Sequence, residues 1–560
     1  MDRRHFLALS AGTAAWPLSA FPQDAGRELS ADVVIVGGGV GGCAAALGAV
    51  REGATVIMTE ETDWVGGQLT SQMVPPDEHK YIETHGCTAE YRRLRNGVRQ
   101  LYRTQKKPAM TADARRTVLL NPGNGWVSRV CAEPKAWLAV LEAMLAPHVA
   151  SGKLRVLRDW TPVSADVNGD KVRAVTGRTA DGNPQTLVGK YFLDATEQGD
   201  LLPLTKTEFV TGSESHKDTG EPSARGEARP GNIQSFTWVL ALDHRPGEEH
   251  TIDKPAEYEF WKGYRPKYSK HKILSWEYSG VEADGTPKIW FDPTRDRPGK
   301  WANYWTYRRA VDAKLFEPGQ GVRDISLINW GQNDYHLGPI HAAPEADVRR
   351  NLDRAKQQGL SMLYWLQTEA ERPDGGVGWK GLALRPDVSG TPDGIAKRPY
   401  IRESRRIVPE FRVVEQMVSK PVREREHKGP GPARAVQFPD TVGVGLYLYI
   451  DIHATAGGDA GGGTGVLPFQ IPLGALLPNR VENLLAACKN LGVTHITNGC
   501  YRLHTVEWNI GEAAGAAAGY CVAKGVSPKA VRADTTRLAD LQRRLTAGGV
   551  ELEWPADATN

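Results

Sequence analysis

The sequence predicts an α/β protein: a doubly wound parallel sheet into which an α+β domain is inserted. Two observations carry this. One strand–glycine turn–helix–strand unit opens the chain between Ala31 and Thr59. The composition then changes twice, because the outer segments hold short β-branched runs and alanine-rich helical stretches, whereas 206–440 is rich in Pro, Gly, Trp and charge with few long apolar periodicities. A chain of 560 residues with 40% hydrophobic content has material for about two to four domains and needs neither metal nor disulfide to fold.

Met1 to Ala20 read as a targeting peptide: Arg3 and Arg4 precede the apolar run Phe6 to Trp16, which ends at the small-residue site Leu18-Ser19-Ala20. The order Asp-Arg-Arg-His-Phe-Leu resembles the twin-arginine export signal, which implies a periplasmic or secreted protein that loads any cofactor before export. An ordinary secretory signal or an uncleaved anchor is the alternative. Residues 1–27 are therefore set aside as leader, and no later stretch holds the ~18 consecutive apolar residues of a membrane span.

The first unit of the fold runs from the strand Ala31–Val36 through Gly37-Gly38-Gly39-Val40-Gly41-Gly42 into a small-residue helix, Cys43–Arg51. A second strand, Ala54–Thr59, ends at Glu60-Glu61. The spacing Gly37-x-Gly39-x-x-Gly42 is the fingerprint of a Rossmann-like dinucleotide site. Its first glycine makes the tight turn, the second admits a diphosphate to the backbone N–H groups, including those of Val40 and Gly41, and the third lets helix and strand touch. The helix N-terminus then offers free donors and positive dipole to the phosphates. A carboxylate about 20 residues on accepts hydrogen bonds from the ribose hydroxyl pair and repels a 2′-phosphate; Glu60 suits this better than Glu61.

Charge excludes other classes. Lys plus Arg number 69 against 66 for Asp plus Glu, and a net charge of +3 gives no broad field for nucleic acid or an acidic membrane. Among the six cysteines no Cys-x-x-Cys pair and no alternation with histidine at metal spacing occurs, so neither a redox dithiol nor a metal site is expected and the thiols read as buried and free. Cys87 with Cys131, or Cys488 with Cys500, are the pairs that a disulfide would use. A small-molecule substrate is the expected partner.

Three further segments carry a resemblance. Asp63-Trp64-Val65-Gly66-Gly67-Gln68-Leu69-Thr70-Ser71 follows Glu60; Leu193-Asp194-Ala195-Thr196-Glu197-Gln198-Gly199-Asp200 follows a strand Gly189–Leu193; and Asn483 to Cys488 precedes Gly511-Glu512-Ala513-Ala514-Gly515. In this order they resemble the two-dinucleotide-binding-domain flavoproteins, the superfamily of glutathione reductase and succinate dehydrogenase. Within it, Arg402 to Ile407 and Asp451-Ile452-His453 are similar to the group of FAD-dependent oxidoreductases. The resemblance implies non-covalent FAD, held by the Gly37–Gly42 loop, Glu60 or Glu61, Gly66, Gly67, Gln68, Thr70, Ala195 and Thr196. A helix starting around Asn509-Ile510-Gly511 would put Gly511 and Glu512 beside the flavin. It also implies a discontinuous FAD domain over 28–75, 150–205 and 440–530, a substrate domain over 76–149 and 206–439, and an extension over 531–560. Two departures stand out: Glu197 where a glycine is usual, and Ala487-Cys488-Lys489 where relatives have Ala-Gly-Arg.

For acid–base work beside a flavin, histidine titrates in the useful range. His453 ranks first, because it follows an apparent strand Val444–Ile450 and Asp451, two residues earlier, shares its side of an extended chain. His504 is a substitute base, and His495 lies in the same third of the chain. Arg402 and Arg405, with Arg406, offer guanidiniums for a substrate carboxylate, Arg402 and Arg406 sharing a face if the stretch is helical; the competing reading is a bracing ion-pair cluster. Nine of the 16 tryptophans lie between Trp238 and Trp379, which suits stacking on a sugar-like substrate or, equally, a core. His85 and Cys87 are the residues that a covalent flavin tether would use. The expected activity is hydride transfer between a small organic, carbohydrate-like substrate and FAD, with an electron acceptor that the sequence does not mark. The alternatives are a carbon–carbon double-bond reductase and a secreted polysaccharide lyase or binding protein with structural flavin.

Overall fold

The computed structural model describes residues 28–104, 109–296 and 302–560; the leader with its arginine pair lies outside them. The strand β1 (Leu29–Val36) is β-branched and wholly buried over its last four residues, and leads through the glycine turn into helix α1 (Val40–Arg51) and β2 (Val56–Thr59). The strands β3 (Leu154–Leu157), β4 (Thr161–Asn168), β5 (Lys171–Arg178), β6 (Pro184–Asp194) and, near the far end of the chain, β7 (Leu484–Ala486) complete the main sheet. Its order is β3-β2-β1-β6-β7 with all five parallel, Val34 pairing with Ile57 on one side and Phe192 on the other, and Leu485 pairing with Leu193. The first half of β6 carries β5 and then β4 as an antiparallel meander. Strand order reverses between β1 and β6, so a crevice opens at their C-terminal ends, the place where such sheets bind ligands.

Helix α2 (His504–Lys524) lies along α1. Both are alanine- and glycine-rich and buried nearly all round, as helices inside a layered core are. A Cβ on Gly511 would stand 2.0 Å from the Gly41 carbonyl oxygen, and one on Gly515 2.0 Å from that of Ala45, so the two backbones meet with no side chain between them. Helix Pro134–Ala150 packs on α1 and β3, its Leu141 against Gly66. It is the crossover between β2 and β3 and packs on the nucleotide-binding layers, whereas Met110 bridges to Phe316 and Gly123 accepts from Arg309, so the stretch 76–149 expected in the substrate domain touches both.

The inserted domain is built on an antiparallel sheet of Arg309–Val311, Ile325–Ile328, Leu240–His244 and Leu382–Leu384, covered by helix Glu345–Thr368. Seven of its tryptophans (Trp238, Trp261, Trp276, Trp305, Trp330, Trp365 and Trp379) are buried, with Trp276 against Trp365 at 4.8 Å and Phe291 among Trp276, Trp305, Trp330 and Trp379. They form core, so the proposed sugar platform loses its basis. A smaller sheet, Asp334–Tyr335, Phe236–Thr237 and Tyr400–Ile401, faces the main domain. The single strand expected over Val444–Ile450 is two: Thr441–Gly445 pairs with Phe469–Pro472, and Tyr449–Ile452 with Gly462–Gly465, because the chain breaks at the exposed Leu448. All six cysteines are buried and free, and no helix among the described residues is long and apolar enough to cross a membrane.

Candidate active site

The glycine turn forms the floor of the crevice. Gly37 has φ +103°, and a Cβ there would sit 2.2 Å from the Ala195 carbonyl oxygen; one on Gly42 would sit 2.0 Å from that of Gly37. Ala195 thus acts through its backbone, as a wall of the turn. Gly66 (φ +106°) donates its N–H to the Gly38 carbonyl at 2.7 Å, which folds the second glycine pair over the first. Glu60 ends β2 and accepts from the Gly38 N–H at 3.1 Å and from the Thr62 N–H at 3.0 Å. Burial, reinforced by the charge of Glu61, pushes Glu60 up to about 8. Glu61 instead pairs with Arg398 at 2.6 Å, so Glu60 is the carboxylate that the crevice holds.

Over this floor lies a buried ion cluster that sequence reasoning missed. Lys489, fully buried, pairs with Glu197 and lies 3.3 Å from Glu507. The Glu197 carboxylate spans the loop, its Oε1 2.8 Å from where a Gly39 Cβ would be and 2.6 Å from a Gly67 Cβ. Glu507 accepts from the Gly41 N–H at 3.3 Å and from Gln68 Nε2 at 2.6 Å. A carboxylate thus sits on the first turn of α1, where an anion is favoured by free N–H groups and dipole. Burial pushes Glu507 up to about 7 against the pull of Lys489; for Lys489, burial works to lower the pKa, but the two glutamates outweigh it and keep the ammonium charged. The only sequence signals were the two departures, Glu197 and Lys489, which meet here.

Several expected contacts are corrected. Helix α2 begins at His504, a turn and a half before Asn509, so Gly511 is a helix-packing residue and Glu512 is bound to Arg51 at 2.6 Å and Trp508 at 3.1 Å, within the α1–α2 seam. The Thr70 hydroxyl donates to the Val65 carbonyl at 2.7 Å, and that of Thr196 to Asp194 at 2.7 Å while accepting the Asp200 N–H at 2.7 Å; both shape turns. His85 stacks on Tyr81 at 4.8 Å beside Trp554, and the Cys87 thiol faces the Ile82 carbonyl, so neither is among the crevice residues.

His504 heads α2 and accepts the Asp77 N–H at Nδ1, 3.1 Å away; the ring proton is then on Nε2, which is buried without a partner, as is the Thr505 hydroxyl. Burial lowers His504 to about 4. The ring is neutral with its one free acceptor occupied, so it is not the substitute base: it is an unsatisfied donor at a helix N-terminus.

Linked to Gln68 through the Arg502 carbonyl, which accepts from Gln68 Nε2 at 3.2 Å, five titratable side chains form a chain. His453 Nδ1 lies 2.7 Å from Asp334 and Nε2 3.1 Å from Asp451. Arg402 holds Asp334 at 2.9 Å, and Arg502 holds Asp451 at 2.7 Å while donating to the Tyr400 hydroxyl at 2.9 Å. Two carboxylates facing the two ring nitrogens are both satisfied only by the doubly protonated imidazole. Burial works to raise both aspartates, but Arg402 and His453 outweigh it at Asp334, and His453 and Arg502 at Asp451, so both stay ionised well below the usual carboxylate range. His453 is 29% exposed, the most open member of the chain. Asp451 orients it as expected, but the shorter contact is to Asp334, more than a hundred residues away, which no local spacing could reveal.

The arginine motif is an irregular connection between Tyr400–Ile401 and Arg406–Ile407, not a helix, because each guanidinium is drawn to a different carboxylate. Arg402 faces His453's partner. Arg405 turns to Asp200 (3.1 Å) and the Gln198 carbonyl (2.9 Å), bracing the main sheet, and does not join the His453 chain. Arg406 is buried between Glu403 and Glu214, and His495 binds Glu403 at 3.0 Å, a second bracing cluster.

The profile of the family described as FAD dependent oxidoreductase matches residues 32–545. The chain belongs to this family. Among solved structures it is similar to L-proline dehydrogenase from P. horikoshii (14% identity over 34% of this chain and 26% of that one, TM-score 0.18). It is also similar to Mycobacterium smegmatis Sdh1 (13% identity, 92% and 76%, TM-score 0.29) and to a flavoprotein/dehydrogenase from Cytophaga hutchinsonii (15%, 41% and 48%, TM-score 0.21). The chain spans about a quarter of the proline dehydrogenase it matches. Among curated proteins no sequence matches it.

The cofactor of this FAD-dependent oxidoreductase is FAD, and the crevice fits it on its own chemistry. Gly37, Gly39 and Gly42 leave a floor that any Cβ would fill, a carboxylate already rests on the α1 amide where a phosphate would, and Gln68 Oε1, His504 Nε2 and the Thr505 hydroxyl are buried polar atoms without partners. The glycine loop and Lys489 are the residues to hold the diphosphate, Glu60 the ribose, and Gln68 with the start of α2 the flavin.

Proposed function

We propose that this protein is an exported oxidoreductase in which a small organic substrate, bound against His453, exchanges a hydride with FAD. When bound, FAD supplies the two-electron acceptor or donor. Asp334 fixes the Nδ1 side of His453, as the carboxylate of a hydrolytic triad does for its histidine, leaving Nε2 to give or take the substrate proton in place of the longer contact to Asp451. Arg402 and Arg502 stay paired with the two aspartates, so each ring nitrogen of His453 faces an ionised carboxylate that can hold its N–H. The observation that carries the reading is this arginine-backed pair of carboxylates on one partly exposed histidine, in a chain of the FAD family. The carboxylate at each ring nitrogen also favours a second reading, reduction of a carbon–carbon double bond, in which His453 protonates the carbon next to the one that receives hydride.

Anaerobic mixing of the purified protein with a panel of alcohols, amines and α,β-unsaturated acids tests both. Bleaching of oxidised flavin by an alcohol or amine supports oxidation; recolouring of pre-reduced flavin by an unsaturated acid supports reduction. If neither colour change occurs with any compound, or if His453→Asn changes no rate, the proposal fails. Export rests on Arg3-Arg4 ahead of Phe6–Trp16. The pair Arg3→Lys and Arg4→Lys should leave the protein in the cytoplasmic fraction; unaltered export of that variant refutes the twin-arginine route.

A further inference from the structure

A surface cavity of about 630 Å³ lies apart from the residues of the FAD crevice, lined by Phe260, Gly263, Tyr264, Arg265, Lys270 and Lys272. Three features make it a site and not a dent. First, Arg265, Lys267, Lys270 and Lys272 are four exposed cations within eight residues, and none has an acidic partner among the described residues. The neighbouring cations do have partners: Lys254 binds Glu259 at 2.6 Å, Lys262 binds Glu369 at 2.7 Å, and Arg354 binds Glu257 at 3.2 Å. Uncompensated like charges this close repel, and an anion relieves them. Second, the wall is a stacked aromatic pair, Phe260 on Tyr264 at 5.5 Å and 19°, with Phe260 44% exposed and Arg354 4.8 Å above its ring. An exposed flat ring beside cations suits a cyclic body that bears a negative group.

Third, a hydrogen-bond chain joins the cavity wall to the residue beside His453. His336 Nδ1 donates to the backbone carbonyl of Asp334 at 3.1 Å, which leaves Nε2 to accept from the hydroxyls of Tyr264 at 3.2 Å and Tyr268 at 3.4 Å. Tyr264, the cavity wall, is thus two hydrogen bonds from the residue whose carboxylate holds His453. We infer that this cavity is an anion-binding subsite that anchors a ring-bearing, negatively charged substrate, by a carboxylate, sulfate or phosphate group, for reaction at His453. The inference rests on the redox reading above only for the word substrate; the binding itself does not.

The test therefore has two arms. In the first, calorimetry on the flavin-loaded protein measures binding of benzoate, glucuronate and inorganic sulfate, with benzyl alcohol as the neutral control. The expected result is binding of at least one ring-bearing anion, no binding of benzyl alcohol, and a loss of about tenfold or more in the triple variant R265Q/K270Q/K272Q, three exposed charges that carry no fold contacts. Preference for benzoate assigns an aryl acid and preference for glucuronate a sugar acid; Phe260→Ala should weaken either while leaving sulfate unchanged. Equal binding to wild type and triple variant, or no binding by any probe, overturns the site. In the second arm, the substrate found by flavin bleaching is titrated: a raised KM with unchanged kcat in the triple variant supports the anchoring role, and an unchanged KM in a variant that has lost anion binding overturns it. If no compound bleaches the flavin, the redox reading fails while the first arm still decides the site.

Discussion

Replacing Lys489 with methionine is the sharpest test of the crevice chemistry. The side chain is fully buried between Glu197 and Glu507, so the substitution keeps the apolar length and removes one charge from a cluster of three. Breaking a buried ion pair by removing one partner costs about 3–5 kcal/mol, because the other charge stays desolvated. In a chain of this size that is roughly 3–4 °C of midpoint. The cost should depend on pH. Glu507, already pushed up to about 7, can take a proton and shed its charge in acid, so the loss is smaller at pH 6 than at pH 8.5. Glu197→Gln added to Lys489→Met should return part of the midpoint. The same lysine is the cation nearest the glycine loop, and losing a charge-assisted bond to the diphosphate should weaken FAD by about 10- to 100-fold. Circular dichroism melts of the apoprotein at the two pH values, with FAD titrations read by quenching of flavin fluorescence, measure both. An unchanged midpoint at pH 8.5 together with unchanged FAD affinity would refute the reasoning.

Three further outcomes are expected. Glu60 has its pKa raised to about 8 by burial, so the folded state holds a proton that the unfolded chain releases near the ordinary carboxylate value; stability from this group is complete below that value and declines as pH rises toward 8. Buried His504, lowered to about 4, opposes this only below about 6.5, so between pH 6.5 and 8 the apoprotein midpoint should fall, and Glu60→Gln should flatten the fall. His453→Asn should slow flavin reduction or reoxidation by roughly 10²–10⁴-fold with the flavin spectrum retained, and Asp334→Asn should slow it less while shifting the pH profile; an unaltered rate in both variants removes His453 from the mechanism. Acid precipitation should leave the yellow colour in the supernatant, since His85 and Cys87 are packed near the C-terminal segment and not in the crevice; a coloured pellet contradicts this.

What the sequence made legible was whatever is written locally. The run from Ala31 to Glu60 encodes strand, turn, helix and strand in one stretch, and the structure reproduces it with edges moved by two or three residues. Asp451 and His453 were legible for the same reason, since two residues apart on an extended chain face one way. Asp334 was not, because nothing near it in the chain marks it; it reaches His453 because Asp334–Tyr335 pairs with Phe236–Thr237, and Gln234 and Ser235, just before that strand, bind the backbone of His453, Ala454 and Thr455. The start of α2 was misread because His504–Asn509 has no capping residue at Leu503 to announce a helix, and tertiary packing against α1 supplies what local propensity does not. The tryptophans misled in the opposite direction: their number suggested a ligand surface, but their place is decided by how much apolar area a domain with short strands must bury.

The seam in which Gly511 and Gly515 rest on Gly41 and Ala45 joins nearly the first element of the fold to one of the last. During synthesis, α1 emerges with a bare alanine–glycine flank and β6 with an open edge, and both wait for β7 and α2 to leave the ribosome. The nucleotide floor is therefore drafted early and closed late: a chain interrupted before residue 524 holds the whole glycine fingerprint yet lacks Lys489 or the helix that backs it. The nucleotide site is therefore complete only once the chain has been made through α2.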